Sequence, residues 1–469
     1  MDINANILSY LCDNENILTQ LAINIWNHPQ VALQETYAAK LLADELEDAG
    51  FLVQRGVAQM PTAFIATWGH GKPVIGILAE YDALPGLSQK ISAVKDPVGE
   101  GEPGHGCGHN LFGVGCLGAA LAVKKAMESN GVAGTIKFFG CPAEETLVGK
   151  VFMAKSGVFN DIDAAVTWHP MYANTAWNGS SNALNSFKLN FHGVSAHAGS
   201  NPEMGRSALD AVMLTDVGVN YLREHVIQEA RIHCVVTSGG LAPNIVPDYA
   251  QVWYFVRAPR RSQVEEIYPR VIDIAKGAAL MTGTSFDVQF ITGGYEYLPN
   301  EVINNLTIGK MNIIGAPEFS DNDKMFANKL KETLDTTIVD AAIKDYGLAV
   351  EDIGNPLCEK ILDNVGGFSK GDIRAGSTDV GDVSQITPTG QFTTCCKPIG
   401  IAGHSWQCTA SSGSNIGFKG MMLAAKTMAL TILDLELKPE ILQAAKDEFN
   451  KSKGGVHYIS PLPEGIEPH

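Results

Sequence analysis

In the first part of the chain, the spacing of apolar residues predicts alternating helices and strands. Residues 16–49 carry apolar positions at helical spacing, with a break expected near Pro29 and an end at Gly50. Short apolar runs of the buried-strand type, and one further helical segment, follow at 74–79, 112–129, 135–139 and 164–168. Because strands alternate with helices, we expect a largely parallel sheet with helices on both faces.

A different pattern begins at residue 183. Four segments with alternating apolar and polar residues and two helical segments follow in the order 184–191, 207–225, 231–238, 249–258, 262–281 and 286–292. This pattern predicts an α+β domain inserted into a larger α/β domain. The bounds that we predict for the three stretches are 1–182, 183–297 and 298–469. In the last stretch, residues 298–325 hold several Pro, Gly and Asn and are expected to be irregular, whereas 326–346 and 415–435 are expected to be helical.

The composition narrows the classes of function. Of the 469 residues, 45% are hydrophobic and 18% are charged, as in a globular protein with a large core. The net charge of -17 argues against nucleic-acid binding, which needs a surplus of Lys and Arg. No stretch approaches about 18 uninterrupted apolar residues, so we expect no membrane span. The nine cysteines have no regular spacing and the start shows no signal peptide, which favours free thiols and a cytoplasmic location.

Residues that can carry chemistry follow three of the predicted strands. Asp82 follows the strand at 74–79, Glu144 and Glu145 follow the strand at 135–139, and His169 follows the strand at 164–168. Because ligands bind at the carboxyl ends of strands in open α/β sheets, we expect these side chains to share one edge. His404, far along the chain after a glycine, is a further candidate, although a lone histidine is more often structural.

The run Gly104-His-Gly-Cys-Gly-His109 precedes the helix at 112–129. Its small residues let alternate side chains converge, and thiolate and imidazole are good ligands for zinc and similar metals. A glycine-rich turn with incidental His and Cys is the alternative. Glu144 and Glu145 also allow two interpretations: one metal ligand beside one general base, or a solvated acidic loop. Asp82 can orient a histidine ligand or be an ordinary turn aspartate.

The inserted domain contains three further candidates. His197 lies between small residues, and Asn244 lies in a Gly- and Pro-rich loop where its amide can donate to an oxyanion. Arg257 can bind a substrate carboxylate in bidentate fashion. Each of these residues, taken singly, is also compatible with a structural role.

Taken together, the motifs resemble the M20 metallopeptidase and amidohydrolase family. The runs that carry the resemblance, in family order, are Glu80-Tyr-Asp-Ala-Leu-Pro85, His105-Gly-Cys-Gly-His109, Pro142-Ala-Glu-Glu145, His169 and Gly193-Val-Ser-Ala-His-Ala-Gly199. They are most similar to the aminoacylase and hippurate-hydrolase branch. Within this branch, the runs 376–384 and 403–407 are similar to those of p-aminobenzoyl-glutamate hydrolases and their dipeptidase-like relatives.

The resemblance implies a zinc-peptidase-like catalytic domain, an inserted lid that often mediates dimerisation, and two divalent metal ions, zinc or manganese. The metal ligands that it implies are Cys107, His109, Glu145, His169 and His404. It assigns Glu144 as the general acid and base, His197 as the oxyanion donor, Asn244 as a substrate contact and Asp82 as the partner of a ligand. The chain departs from many members in having Glu80 where they have a histidine ligand, and Asn110 where the branch commonly has Asp.

The function implied is hydrolysis of the amide bond of an N-acyl amino acid with a free carboxylate, which Arg257 or Arg206 can bind. p-Aminobenzoyl-glutamate is the leading candidate, and dipeptides are the runner-up. A homodimer is expected, and a related second subunit is compatible with the same resemblance. Two rival hypotheses are a non-catalytic binding subunit with this fold and a Cys-dependent acyltransferase that uses Cys107 or Cys141.

Overall fold

The computed structural model describes residues 3–345, 356–363 and 365–468. The helices are α1 (Ile3–Asp13), α2 (Glu15–Trp26), α3 (Thr36–Asp48), α4 (His109–Asn130), α5 (Gly149–Lys155), α6 (Ala208–Leu222), α7 (Arg261–Thr282), α8 (Glu301–Ile314), α9 (Asp321–Lys331), α10 (Thr336–Asp345), α11 (Val380–Ser384), α12 (Trp406–Ser412), α13 (Asn415–Leu437) and α14 (Pro439–Lys453). The strands are β1 (Leu52–Arg55), β2 (Phe64–His70), β3 (Val74–Glu80), β4 (Gly134–Cys141), β5 (Ala164–Met171), β6 (Thr175–Ala176), β7 (Ser180–Ser181), β8 (Ala183–His192), β9 (Arg231–Ser238), β10 (Tyr249–Ala258), β11 (Ser285–Gly294), β12 (Ile373–Arg374) and β13 (Thr389–Cys395).

A seven-stranded sheet forms the centre of the larger domain, with the strand order β1-β2-β4-β3-β5-β13-β6. The four inner strands β4, β3, β5 and β13 are parallel, so their carboxyl ends lie at one edge. The outer strands β2, β1 and β6 run antiparallel to their neighbours. The predicted α/β class is therefore confirmed, and the antiparallel outer strands are an addition that the early apolar pattern did not predict.

Both faces of this sheet are buried. Along β3, Ile75 and Ile77 belong to the core beneath α4 and α13, whereas Val74 and Leu78 belong to the core on the opposite face. By length and composition alone α4 and α13 could cross a membrane, but 83% and 89% of their most apolar windows are buried inside the fold, as in core helices.

The inserted segment forms a separate antiparallel sheet with the order β11-β8-β10-β9. The helices α6 and α7 pack against this sheet and against each other, and their apolar residues share one core with those of the strands. β9 lies at the edge of the sheet, with most of its residues exposed. We call this sheet and its two helices the lid.

The expectation of an irregular segment at 298–325 is wrong, because α8 and the start of α9 lie there. Asn300 and Ser320 cap the two helices by accepting hydrogen bonds from Ile303 N and Asp323 N, so two polar residues mark helix starts. The sequence Gly315-Ala-Pro317 separates the helices. The predicted helix at 326–346 is likewise divided between α9 and α10, and residue 346 lies outside the described residues.

Two helical glycines make a matched test of the packing. A Cβ at Gly420 on α13 would lie 2.4 Å from both the Cys395 carbonyl oxygen and Cys396 Sγ, whereas a Cβ at Gly277 on α7 would meet nothing within 4 Å. We expect Gly420→Ala to destabilise the fold by about 1–3 kcal/mol through overpacking. Gly277→Ala should stabilise it by about 0.4–1 kcal/mol by restricting the unfolded chain. Thermal unfolding midpoints in one buffer measure both changes, and equal shifts of the same sign would contradict the packing of α13 on β13.

Candidate active site

The candidate site lies where the parallel strands end. Asp82 follows β3, Glu144 and Glu145 form a short 3-10 turn after β4, and His169 lies near the end of β5. His109 is the first residue of α4. Side chains that follow separate strands in the sequence therefore lie together at one edge of the sheet.

A buried hydrogen bond fixes the orientation of His109. Its Nδ1 lies 2.8 Å from Asp82 Oδ1, and the other oxygen of Asp82 accepts the backbone N–H of Glu145 at 2.9 Å. Burial alone would raise the pKa of Asp82, but the contacts with His109 and Glu145 lower it. Nδ1 is thereby occupied, and Nε2 faces Glu80 Oε2 at 3.3 Å and Glu145 Oε1 at 4.0 Å.

Two further contacts complete the cluster of candidate ligands. Cys107 Sγ lies 3.4 Å from His169 Nε2, and His404 Nε2 lies 3.1 Å from Glu145 Oε2. Cys107, His109 and His169 offer ligand atoms within 4.8 Å of one another, and Cys107, Glu145 and His404 do the same. All five side chains predicted as ligands therefore lie in two overlapping groups that share Cys107.

The turn that carries the two glutamates is built on unusual backbone. Ala143 and Leu147 flank the turn with φ of 56° each, in the left-handed region that non-glycine residues rarely adopt. Such residues cost about 1–3 kcal/mol and persist where surrounding contacts hold them. Here the Ala143 N–H donates to the buried Glu35 carboxylate at 2.9 Å. This backbone turns the chain sharply at the end of β4, where Glu144 and Glu145 enter the site.

Glu144 lies beside other acids. Burial, followed by the nearby charges of Glu80, Asp379 and Glu145, raises the pKa of Glu144 well above its usual value. Glu80, His109 and Glu144 form a third group with ligand atoms within 4.8 Å of one another. Its neighbours thus make Glu144 a readier proton acceptor than an isolated carboxylate would be.

The sequence reasoning missed a buried ion triad beneath the site. Lys150 Nζ lies 2.6 Å from Glu80 Oε1 and also contacts Asp379 Oδ1, and all three side chains are almost fully buried. The Lys150 N–H donates to the second oxygen of Asp379 at 2.8 Å. The signal was a single lysine inside the otherwise apolar segment Leu147–Ala154, which indicates a buried charge that needs partners.

The candidate residues of the lid lie apart from this cluster. His197 is exposed, and its Nδ1 accepts the N–H groups of Gly199 and Ser200 at 3.1 Å. Asn244 is exposed on the neighbouring loop, where its backbone carbonyl accepts the N–H of Ala198. Among the described residues, no hydrogen bond or ion pair joins His197 or Asn244 to the candidate ligands.

Arg257 connects the lid with a segment of the larger domain. Its Nη1 lies 3.5 Å from Ser377 Oγ, and its guanidinium lies over the Phe255 ring. In the same segment, 376–384, Asp382 accepts the N–H of Tyr295, which directly follows the last lid strand. Because residues 376–384 contact the lid and also contain Asp379 of the ion triad, we call them the connecting segment.

Comparison with known proteins identifies the family. The model of a peptidase dimerisation domain matches residues 180–295. The B subunit of p-aminobenzoyl-glutamate hydrolase from Escherichia coli (strain K12) is 42% identical, with 96% of this chain and 95% of that protein aligned. The chain belongs to the M20 family.

Three further proteins are less similar in sequence. The other subunit of the same Escherichia coli hydrolase is 29% identical over 49% of this chain and 55% of its own length. The Xaa-Arg dipeptidase of Mus musculus is 28% identical over 92% of this chain and 88% of its own length. A dinuclear metal-binding peptidase of the M20 family from Bacillus subtilis shares the fold, with a TM-score of 0.57 at 15% identity over 90% of this chain and 98% of its own.

The residues present in this M20 hydrolase fit divalent metal ions. Three buried polar atoms of the groups described above have no hydrogen-bond partner among the described residues: Glu80 Oε2, His109 Nε2 and Glu145 Oε1. Carboxylate, imidazole and thiolate are the ligand types that bind zinc and related metals. A metal ion would satisfy His109 Nε2 and Glu145 Oε1 together, because these atoms lie 4.0 Å apart.

Two ligand variants test the site directly. Cys107→Ser and Glu145→Ala should each reduce the zinc or manganese that remains bound after dialysis by at least one ion per chain, because both remove a ligand from the overlapping groups. Cys12→Ser, at an exposed cysteine of α1 that belongs to none of the candidate ligand groups, is the matched control and should keep the wild-type content. Elemental analysis on protein with unchanged circular dichroism measures the loss. Wild-type metal content in both variants would refute the ligand set.

Proposed function

We propose that this M20 hydrolase cleaves the amide bond of an N-acyl amino acid, with p-aminobenzoyl-glutamate as the first substrate to test. The observation that carries the proposal is the pair Glu144–Glu145 on one turn. Glu145 faces His109 and His404, and Glu144 faces Glu80 and His109. The identity of 42% over nearly the whole chain to a hydrolase of that compound supports the choice of substrate.

The residues that would hold two metal ions, zinc or manganese, are Cys107, His109, Glu145, His169 and His404. When bound, the ions would polarise the amide carbonyl and lower the pKa of a water towards about 7. Asp82 holds His109 in the tautomer that leaves Nε2 free for a ligand bond.

The proton transfers fall to Glu144. Its carboxylate accepts a proton from the attacking water and then donates that proton to the nitrogen of the leaving amine, so one group serves both steps. His197 and Asn244 would donate to the oxyanion of the tetrahedral intermediate once the lid closes, and a single such donor contributes about 2.7–4 kcal/mol. Both residues are exposed in the single chain.

The two rival hypotheses fit the site less well. A binding subunit needs neither Glu144 nor a complete ligand set, and this chain retains both. A Cys-dependent acyltransferase needs a reactive thiolate, but burial raises the pKa of Cys141 to about 12 and that of Cys107 well above its usual value.

We propose a homodimer formed through the lid. On α6, Met213, Val217 and Tyr221 are exposed at a spacing of four residues, so they form one apolar face without a cover. On the edge strand β9, Val235 and Val236 are also exposed. A related second subunit, of the kind that the Escherichia coli hydrolase has, is the alternative partner.

The free cysteines support a location in the reducing cytoplasm.

Glu144→Gln tests the mechanism. We expect kcat on p-aminobenzoyl-glutamate to fall by about 100-fold or more, because general acid–base catalysis typically contributes about 10²–10⁴, while metal content stays at the wild-type level. Glu332→Gln, at an exposed position after α9, is the control and should leave kcat unchanged. Turnover at the wild-type rate in metal-loaded Glu144→Gln would defeat the assignment.

Tyr221→Glu tests the dimer, because a charge on the α6 face opposes burial of that face. The dimer should dissociate to a monomer at micromolar concentration, as measured by light scattering after size exclusion. Ile313→Glu introduces the same charge at an exposed apolar position on α8 and should leave the mass unchanged. A dimer that persists in the Tyr221 variant contradicts the proposed interface.

A further inference from the structure

A cavity lies between the larger domain and residues 454–468, which we call the tail. Its volume is about 580 Å³, within the usual range for small-molecule sites. It is lined by the end of α5 and the loop after it, by the residues after α11, and by the end of α14 with the tail. The lining side chains that carry charge or form hydrogen bonds are Lys155, Asn160, Gln385, Asn450, Lys453, His457, Tyr458 and Ser460.

The lining of this cavity is positively charged. Lys155 and Lys453 belong to it, and no Asp or Glu is among the described residues that line it. The whole chain has 51 acidic residues against 34 lysines and arginines, so the lining runs against the general charge of the protein. Because a cleft lined by one sign of charge concentrates ions of the opposite sign, the cavity favours an anion.

Both lysines keep donors for a ligand. Lys453 Nζ donates to Gln385 Oε1 at 2.9 Å, and Lys155 Nζ donates to the carbonyl oxygen of Pro463 at 2.5 Å. Neither ammonium forms an ion pair with a described residue, and each has three N–H donors. Burial lowers the pKa of Lys453, and the charge of Glu296 offsets this only in part. An anion in the cavity would supply the counter-charge that these contacts do not.

A lysine at the end of a helix also has a structural role, because its charge offsets the negative end of the helix dipole. Lys155 lies in the last turn of α5, and Lys451 and Lys453 both lie in the last turn of α14. Lys451 is exposed and is not among the residues that line the cavity. It compensates the same dipole, and it is therefore a matched control for Lys453.

The tail is fixed against the fold and forms a built wall of the cavity. Tyr458 OH donates to Asp382 Oδ1 at 2.8 Å, and Tyr295 OH donates to the carbonyl oxygen of Ile459 at 3.0 Å. Leu462 is 6% exposed and packs in the core on one face of the central sheet. Because Asp382 also accepts the N–H of Tyr295, this wall is tied to the connecting segment and to the end of the lid.

We propose that this cavity binds a small anion with two or more negative charges, with Lys155 and Lys453 as its ionic partners and the amides of Asn160 and Asn450 as further donors. None of the residues that line the cavity is a candidate metal ligand, so the site goes beyond amide hydrolysis. Phosphate and carboxylate groups both accept hydrogen bonds from ammonium groups. The shared chemistry of the ligand is therefore compact, multiply charged oxygen acceptors.

Calorimetric titration of known anions into the metal-loaded protein tests the site. The probes are pyrophosphate, inorganic phosphate and succinate, with acetate as the singly charged comparison, at one ionic strength because salt screens exposed charges. At least one multivalent probe should bind saturably. Acetate should bind about tenfold more weakly or less, because it can pair with only one of the two lysines. A preference for pyrophosphate or for succinate distinguishes a phosphorylated ligand from a dicarboxylic one.

Substitutions locate the binding. Lys155→Met and Lys453→Met should each weaken binding of the preferred anion by about tenfold or more, since hydrogen bonds to charged groups are worth about a factor of ten upwards. Lys451→Met should bind as the wild type does. Binding at the candidate metal ligands would persist in the double variant, whereas binding in the cavity would be lost. Full affinity in the double variant, or an equal loss in the Lys451 variant, overturns the site.

Hydrogen exchange on the wild-type protein needs no variant. With the preferred anion bound, exchange should slow in 154–160 and 449–460, which contain lining residues, and should stay unchanged in β9 of the lid. Protection confined to 105–109 and 143–147 would place the anion at the candidate metal site and overturn the proposal, as would the lack of saturable binding by all three multivalent probes. The hydrolase function is tested separately by Glu144→Gln, so either idea can fail alone.

Discussion

Several carboxylates are buried close together in this protein, and the surrounding structure has to compensate their negative charge. Five carboxylates, those of Glu80, Asp82, Glu144, Glu145 and Asp379, lie at or beneath one sheet edge. Lys150 neutralises part of this charge from below. Carboxylates buried together are neutralised either by protons or by cations, and the metal ions of the proposed function would supply positive charge here.

The fold creates this concentration by simple topology. Parallel strands end at the same edge, and three of the inner strands lead into acids or a histidine where they end. Supporting contacts then orient the groups: Asp82 serves both His109 and the turn that carries Glu145, while Glu35 holds the strained backbone at Ala143. Candidate site residues on different segments thus depend on a few shared acceptors.

Short-range patterns predicted some of these features and missed others. The parallel centre, the antiparallel lid and the convergence of Cys107 and His169 follow from strand-end positions and family motifs. The helices at 301–314 and 321–331 were hidden because Pro, Gly and Asn mark helix ends as often as loops, and only the hydrogen bonds of Asn300 and Ser320 decide between the two. Lys150 and Asp379 lie 229 positions apart, so no local pattern contains the information that they pair.

The connecting segment contacts both the lid and the ion triad. Within residues 376–384, Ser377 lies beside Arg257 of the lid, and Asp382 accepts the backbone N–H of Tyr295, just after the last lid strand. Asp379 forms an ion pair with Lys150 beneath the site. Any lid movement that shifts this segment must change the energy of the ion triad. In the proposed function, a ligand that shifts this segment would alter the affinity for metal by the same factor as metal alters the affinity for that ligand, because coupling between two binding sites is reciprocal.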